Sequence, residues 1–417
     1  MKNYISFCAA AMLFSATAAV AAPQPSDESR LQELETLVRR LSAQVEEQQK
    51  TIDKLSGTGQ STLSAAPVSN SPSPAGASKT PRKQFLPDIG VITDIVASST
   101  ESAEDEEGND RFSVREIELV FGHDIDPYAR LDTVLTFSDF EDPDVETAMV
   151  TYSGLPYDTT ARIGRMRQRV GKATAQHRDS LETVDEPLVV QRYLGIEGLF
   201  RTGLEGSGFT PLSGDSFTQE LILGVMEGGV GEDGELFGET RRRPSGYGHI
   251  GNFFDISDDT AFELGGTYLI GSQDDDSSAE VQAFGIDATF IHYVTPRNKF
   301  KLQSELYLQS RDETSGNDGE GDVYAEDPYG IYVLADYRLA ERWGLGARFD
   351  YVEPTLVEEA RAQSADKAYN AMITFFQSEF ARWRLQYQYA DLADGTDDNR
   401  FFLQGTFAIG VHKHVLQ

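Results

Sequence analysis

Residues 401–411 read Phe-Phe-Leu-Gln-Gly-Thr-Phe-Ala-Ile-Gly-Val, and the odd positions are apolar except at Gly405. Successive side chains of a β-strand point to opposite faces of its sheet, so a period of two predicts a strand with one apolar face. Residues 301–308 follow the same period, because Leu302, Leu306 and Leu308 are separated by polar or aromatic positions. This pattern indicates an all-β body.

The same alternation continues through the chain from Phe85 onwards, with turn-forming residues between the runs. We predict sixteen strands from it. Their approximate bounds are 86–98, 111–124, 127–140, 144–154, 157–168, 194–205, 217–227, 246–257, 260–272, 279–295, 298–311, 328–340, 342–353, 367–380, 381–391 and 399–413.

The connections between these strands alternate in kind. The even ones are mostly tight turns such as Asp124–Pro127 and Thr295–Asn298, whereas Glu101–Asp110 and Asp312–Asp327, both odd, hold six and seven acidic residues. Short turns on one rim and long loops on the other are typical of an outer-membrane β-barrel. A soluble β-sandwich, the alternative fold, has no reason to sort its loops in this way.

Barrel closure also satisfies the physics of a bilayer. Strands in lipid find no water for their backbone N–H and C=O groups, so every strand must pair on both sides. We therefore expect a transmembrane antiparallel β-barrel of about sixteen strands over residues 85–417, wide enough for an aqueous channel. An even strand count places both termini in the periplasm.

The N-terminal region has the pattern of a secretory signal peptide. Lys2 precedes an apolar run over Tyr4–Val20, and Ala19-Val20-Ala21 forms an A-x-A cleavage signature, which predicts a signal peptide over residues 1–21. A membrane-spanning helix is the alternative, but the run is short and Pro23 follows it. Cys8 lies within this peptide, so the mature chain is expected to contain no cysteine, disulfide or thiolate site.

A heptad pattern follows within residues 26–55. Its two core positions are Leu31, Val38, Val45 and Ile52, and Leu34, Leu41, Gln48 and Leu55. This narrow apolar stripe favours a periplasmic coiled coil over a single amphipathic helix packed on the barrel. Residues 56–84 are rich in Ser, Ala, Pro, Gly and Thr, which predicts a disordered linker.

Several motifs give the chain a family resemblance. They are Phe85-Leu86-Pro87-Asp88-Ile89, Gly154-Leu155-Pro156 with Gly164-Arg165, Gly171 with Gln176-His177, and Asp185-Glu186-Pro187-Leu188-Val189. With these motifs the chain resembles the phosphate-selective porin O/P-like group and its relatives that carry an N-terminal coiled coil. The resemblance implies an outer-membrane porin.

The third external connection, residues 169–193, is the best candidate for a functional site, because it is long and carries both signs of charge. A loop folded into the barrel would narrow it, and opposed charges across a constriction select solutes. The candidate constriction residues are Arg162, Arg165, Arg167, Arg169, Lys172, His177, Arg178, Asp179, Glu182 and Asp185. Among them we expect Arg169, Lys172 and Arg178 near the narrowest point, facing Asp179, Glu182 or Asp185. Strand alternation cannot place all three arginines before the loop in the lumen. A loop that caps the barrel through internal salt bridges is the alternative.

No nucleophile–base motif, glycine-rich phosphate loop or zinc-ligand spacing occurs in the sequence, so we expect no enzyme, cofactor or metal site. His412 and His414 would share one strand face, but a polar strand end explains them better. The acidic loops fit a formal net charge of −32. We expect them to concentrate cations at the pore mouth and, through bridging divalent cations, to contact lipopolysaccharide and outer-membrane lipids.

Passive diffusion of small hydrophilic solutes or ions through a homotrimeric porin is the leading functional interpretation. One alternative is a TonB-dependent-like or metal-related receptor, although receptors of that type need a plug inside 22 strands. Another is a structural outer-membrane anchor with a plugged barrel, whose coiled coil reaches the cell wall. None of these functions requires a nucleic acid partner.

Overall fold

The computed structural model describes residues 87–101, 111–139, 143–214, 216–228, 236–237, 243–272, 280–314, 323–355, 365–393 and 395–410. The expected signal peptide, coiled coil and linker lie outside the described residues, as do His412, His414 and most of the acidic loops. All strands belong to one compact unit, residues 82–417.

Seventeen strand segments make up this unit. They are β1 Asp88–Thr100, β2 Arg111–Asp124, β3 Ala129–Phe137, β4 Asp144–Tyr152, β5 Thr160–Arg167, β6 Phe200–Phe209, β7 Phe217–Met226, β8 Ser245–Ser257, β9 Thr260–Ser272, β10 Glu280–Thr295, β11 Asn298–Thr314, β12 Val323–Glu326, β13 Tyr329–Ala340, β14 Trp343–Val352, β15 Asp366–Ser378, β16 Ala381–Asp391 and β17 Asp397–Gly410.

The strands form one closed antiparallel barrel. Each strand pairs with its neighbours in sequence, and β1 pairs with β17 from Gly90 opposite Gly410 to Thr100 opposite Arg400. Both β12 and β13 pair with β11, so they form one strand interrupted at Asp327 and Pro328. The barrel therefore has sixteen strands, which confirms the predicted fold.

Alternation along each strand separates a lumen face from a lipid face. On β16, Arg384 and Gln386 are buried, whereas Leu385 between them is 52% exposed. The exposed positions of the other strands are also mostly Leu, Ile, Val, Phe or Tyr. An outward apolar band with a polar interior is what a barrel needs in a bilayer. No helix among the described residues is long and apolar enough to span a membrane.

The two rims differ as the sequence predicts. Four connections on one rim have two residues each: 258–259, 296–297, 341–342 and 379–380. The connections on the other rim include 168–199, 227–244 and 353–365, which are much longer. Most strand bounds agree with the prediction to within three residues.

The strand expected over residues 194–205 is the exception, because β6 begins only at Phe200. A short helix that the sequence did not predict, α1, spans Leu188–Tyr193. Gly195 and Gly198 follow it with φ values of 121° and 85°. Such backbone angles favour glycine and let the chain turn back into the barrel wall.

Candidate pore constriction

The segment that links β5 to β6, residues 168–199, lies against the lumen face of the barrel and is called here the β5–β6 segment. Val170, Val189, Val190 and Leu199 are completely buried within it. These side chains form one apolar cluster with inward-facing residues of the wall. The wall members of this cluster include Ile222, Leu269, Tyr307, Tyr332, Val352 and Met372, from β7 to β15. The segment therefore fills one side of the lumen.

Helix α1 contacts β13 and β14 inside this cluster. Gly330 on β13 allows the close approach, since a Cβ atom there would lie 2.7 Å from Cγ2 of Val189. The hydroxyl of Tyr193 donates to the carbonyl oxygen of Glu353 at 2.8 Å. Because α1 is only six residues long, this packing rather than helix propensity holds it in place.

Three buried arginines of the wall bind the backbone of the β5–β6 segment. Arg384 donates to the carbonyl oxygens of Thr183 at 2.6 Å and Leu181 at 2.8 Å. Arg382 donates to the carbonyl oxygen of Asp179 at 2.5 Å. Arg348 donates to the carbonyl oxygen of Asp185 at 2.8 Å and also bonds its carboxylate at 3.1 Å. Hydrogen bonds from a charged donor are stronger than neutral ones, so these contacts anchor the segment to β14 and β16.

Carboxylates of the wall hold the other side of the segment. The backbone N–H of Ala173 donates to Oε1 of Glu305 at 2.6 Å. Lys172 forms an ion pair with Glu263, and Lys301 pairs with Glu182 at 2.7 Å. The segment is thus bound to β9 and β11 as well as to β14 and β16.

The candidate basic residues pair with carboxylates other than those expected. Arg162 and Arg169 converge on Oε1 of Glu205, at 2.9 and 2.8 Å, and Arg169 also reaches Glu220 at 3.0 Å. Arg178 pairs with Glu197 at 2.9 Å. The sequence had suggested Asp179, Glu182 and Asp185 as the facing acids for Arg169, Lys172 and Arg178, and these pairs are not formed.

The remaining candidates lie before and within the segment. Arg167 is buried, bonds Glu146 at 3.3 Å and lies 3.9 Å from the ring centroid of Phe200. Nδ1 of His177 lies 3.3 Å from the same carboxylate. Arg165 instead pairs with the exposed Asp144 at 3.2 Å. The three arginines of β5 thus have different surroundings, yet all three line cavities of the lumen, which strict strand alternation had excluded.

The acidic residues of the segment fall into two electrostatic groups. Burial alone would raise the pKa of Asp185, but Arg348 and the amides of Gln386 and Gln388 outweigh it and lower that pKa. Burial likewise opposes ionisation of Glu182, yet Lys301 holds its pKa below the usual value.

Asp179 and Glu186 behave differently from these two acids. Burial raises the pKa of both, and that of Glu186 reaches about 7. Neither carboxylate accepts a hydrogen bond from any residue that the structure describes. A buried carboxyl group without such bonds favours its neutral form.

Two cavities lined by described residues lie beside the β5–β6 segment, on the side of β1 to β7. One, of about 430 Å³, lies towards the short turns and is lined by Glu118, Thr151, Asp158, Arg162, Arg169 and His177, among others. The other, of about 500 Å³, lies towards the long loops and is lined by Arg111, Asp139, Arg165, Arg178, Asp185 and Glu186, among others. Charged side chains of both signs thus face the free space of the lumen.

Sequence reasoning missed the wall residues that hold the segment: Glu205, Glu305, Arg348, Arg382 and Arg384. One signal for them was present. Arg382, Arg384, Gln386 and Gln388 are polar at every second position of β16, which indicates an inward face with unusual hydrogen-bonding capacity.

Comparisons with known proteins agree with this architecture. Residues 223–385 match the family described as putative beta-barrel porin-2, OmpL-like. An uncharacterized protein of Aquifex aeolicus (strain VF5) is 24% identical over 79% of this chain and 80% of its own length.

Solved structures show the same fold at low sequence identity. An anion-selective porin from Comamonas acidovorans has a TM-score of 0.53 and 10% identity, covering 78% of this chain and 99% of that one. Salmonella typhi OmpF in complex with daunomycin has a TM-score of 0.52 and 9% identity, covering 78% of this chain and 97% of that one. Pseudomonas putida OprB has a TM-score of 0.51 and 9% identity, covering 78% of this chain and 94% of that one.

Proposed function

We propose that this outer-membrane porin conducts small hydrophilic solutes or ions by passive diffusion through a lumen narrowed by the β5–β6 segment. The observation that carries the proposal is the position of this segment: the wall binds it from opposite sides, through Arg384 on β16 and Glu220 on β7, which pairs with Arg169. A polypeptide held across the lumen reduces the free cross-section to the space along β1 to β7.

The charged groups in that space would set selectivity. Arg162, Arg167, Arg169 and His177 line the cavity near the short turns, and Arg165, Arg178 and Asp185 line the other. Lys172, Asp179 and Glu182, the other candidate constriction residues, lie beside them in the segment. Inside a low-dielectric wall each fixed charge acts more strongly than in water.

Single-channel conductance in planar bilayers tests this function. We expect open channels from the purified chain and a several-fold larger conductance after residues 169–193 are replaced by a short Gly-Ser linker. Heat-modifiable electrophoretic mobility checks that the variant barrel still closes. Channels of equal size in both proteins would place the β5–β6 segment outside the conduction path.

The same experiment separates the alternatives. A chain that folds and never conducts would support the structural anchor with a plugged barrel. A TonB-dependent-like receptor is disfavoured because such transporters use 22 strands, whereas this barrel has sixteen.

Assembly and partners belong to the same proposal. The heptad within residues 26–55 supports self-association in the periplasm, with a homotrimer as the expected state. The acidic external loops support contact with lipopolysaccharide through divalent cations. The net charge of −32 favours cations at the pore mouth, which argues against phosphate selectivity despite the family resemblance.

A further inference from the structure

Three side chains at the 430 Å³ cavity have the chemistry of metal ligands, and two of them, Glu118 and His177, line it. Glu118 on β2, Glu146 on β4 and His177 in the β5–β6 segment each offer one ligand atom, and these atoms lie within 4.8 Å of one another. Glu118 and Glu146 are 3% and 6% exposed. This is the one group of three or more such ligands among the residues that the structure describes.

A β-bulge brings Glu146 to the lumen. Val134 on β3 pairs with Thr147, but Leu135 pairs with Val145, so Glu146 has no opposite residue. A bulge lets two successive residues turn towards the same face. Glu146 and Thr147 are accordingly both buried, and Glu146 meets the loop residue His177 inside the barrel.

A second observation, independent of the cluster geometry, points to a missing ligand. Oε2 of Glu146 is buried and accepts no hydrogen bond from any described residue, and the same holds for both carboxylate oxygens of Asp179. Asp179 is 2% exposed and interacts electrostatically with both Glu118 and His177. Buried carboxylate oxygens are normally satisfied, so three orphaned acceptors in one place require an explanation.

The nearby arginines do not donate hydrogen bonds to these three carboxylate oxygens. Arg167 bonds Oε1 of Glu146 and leaves Oε2 without a partner. Arg382 donates to the backbone carbonyl oxygen of Asp179 instead of its carboxylate. Arg178 pairs with Glu197. Glu116, also buried, adds a further acid beside these groups.

We propose that Glu118, Glu146 and His177, with Asp179 as a fourth ligand, form a binding site for a divalent transition-metal ion of the Zn²⁺ type inside the lumen. One imidazole nitrogen with two or three carboxylate oxygens suits Zn²⁺, whereas Ca²⁺ and Mg²⁺ prefer oxygen ligands alone. Glu118 and His177 line the 430 Å³ cavity, which gives the ion a path to the site.

Binding is tested on the full chain by isothermal titration with Zn²⁺. The background protein carries Cys8→Ser, His412→Asn and His414→Asn, which removes the cysteine and the closely spaced histidine pair outside the site. Excess Ca²⁺ in the buffer competes with Zn²⁺ for carboxylates that offer oxygen ligands alone. We expect one Zn²⁺ per chain, with affinity at least about tenfold lower after Glu146→Gln or His177→Asn.

The matched control is His249→Asn. His249 is also a buried lumen histidine near a carboxylate, 3.9 Å from Asp287, but it lies outside the cluster. Its replacement is expected to leave zinc affinity unchanged. Glu118→Gln serves as a second test if Glu146→Gln fails the heat-modifiability check. Equal affinity in the background protein and the cluster variants, or equal loss in the control, would overturn the proposal.

A second measurement rests on the proposed channel function. Zn²⁺ held at the cluster adds two positive charges beside the 430 Å³ cavity, so it should lower the cation current of the background protein and not that of His177→Asn. If the protein binds zinc but forms no channel, the metal site stands and the proposed channel function is refuted. If it forms channels but binds no zinc, the channel function stands and the metal site is refuted.

Discussion

Arg384 on β16 holds the carbonyl oxygens of both Leu181 and Thr183, more than 200 residues earlier in the chain. Two hydrogen bonds from one buried guanidinium fix the backbone of the β5–β6 segment against the wall. The segment is therefore held through its main chain, largely independent of which side chains it carries at these positions.

Removing this anchor should loosen the segment. Arg384→Met nearly keeps the length of the side chain but removes the donor to the carbonyl oxygen of Thr183, at a cost of about 1–3 kcal/mol, and leaves that of Leu181 with only the 3.4 Å bond from Arg382. We expect a larger and noisier single-channel conductance from a barrel that still closes. Lys367→Met, on the lipid-facing register of β15, is the control and should conduct like the parent protein.

Charge neutralisation should change ion preference. Arg162→Gln with Arg169→Gln removes two positive charges that line the 430 Å³ cavity and leaves Glu205 with only the hydroxyl of Tyr247 as a partner. We expect the reversal potential in a salt gradient to shift towards cations. Arg192 belongs to the same segment but pairs with Asp366 instead, so the control variant Arg192→Gln should leave the reversal potential unchanged.

The close contact at Gly330 should be sensitive to one methyl group. Gly330→Ala places a Cβ atom 2.7 Å from Val189, which must displace α1 or strain β13. Overpacking of this kind costs about 1–3 kcal/mol. The temperature at which heat-modifiable mobility is lost should fall. Gly266→Ala, where the nearest atom is at 3.6 Å, should not lower it.

Glu186 should make stability depend on pH. Its pKa is raised to about 7, so the folded chain holds the proton more tightly than the unfolded chain does, and stability falls as the pH rises from about 4.5 to about 7. Glu186→Gln removes this dependence, with a gain of at most about 3 kcal/mol above pH 7. Melting of both proteins between pH 4 and 9 measures it. A constant difference at all pH values would contradict the assignment.

The coiled coil gives a prediction about assembly. Leu41→Asp with Val45→Asp places charge in the predicted heptad seam, where it cannot be solvated or paired. The chain should lose self-association in analytical ultracentrifugation while its barrel still closes. Unchanged oligomers would assign association to the barrel itself.

The strands and the two kinds of rim were predictable because alternation and connection length are local properties of the sequence. Helix α1 was not, since the β-branched Val189 and Val190 are weak helix formers and the six-residue helix is held by its packing against β13 and β14. The β-bulge at Glu146 was equally unpredictable from the sequence. Regular alternation would place Glu146 on the lipid face, and only its pairing with β3 shows otherwise.

The partners of the β5–β6 segment were beyond sequence reasoning for a different reason. The sequence indicated that residues 169–193 carry opposed charges, but not which wall residues receive them. Those partners, from Glu146 to Arg384, come together only when the barrel closes.

The separation in sequence between the segment and its anchors also bears on how the chain folds. The donors Arg348, Arg382 and Arg384 follow residues 179–185 by more than 160 positions. Contacts between residues so far apart in sequence form late in folding, because a long loop must close before they can be made. The lumen should therefore acquire its final packing only after the last hairpin, β16 and β17, has joined β1. The apolar residues of the segment have no wall to cover them until β7 to β15 are in place, so the stage before those strands pair is the one at which the nascent barrel is most prone to aggregate.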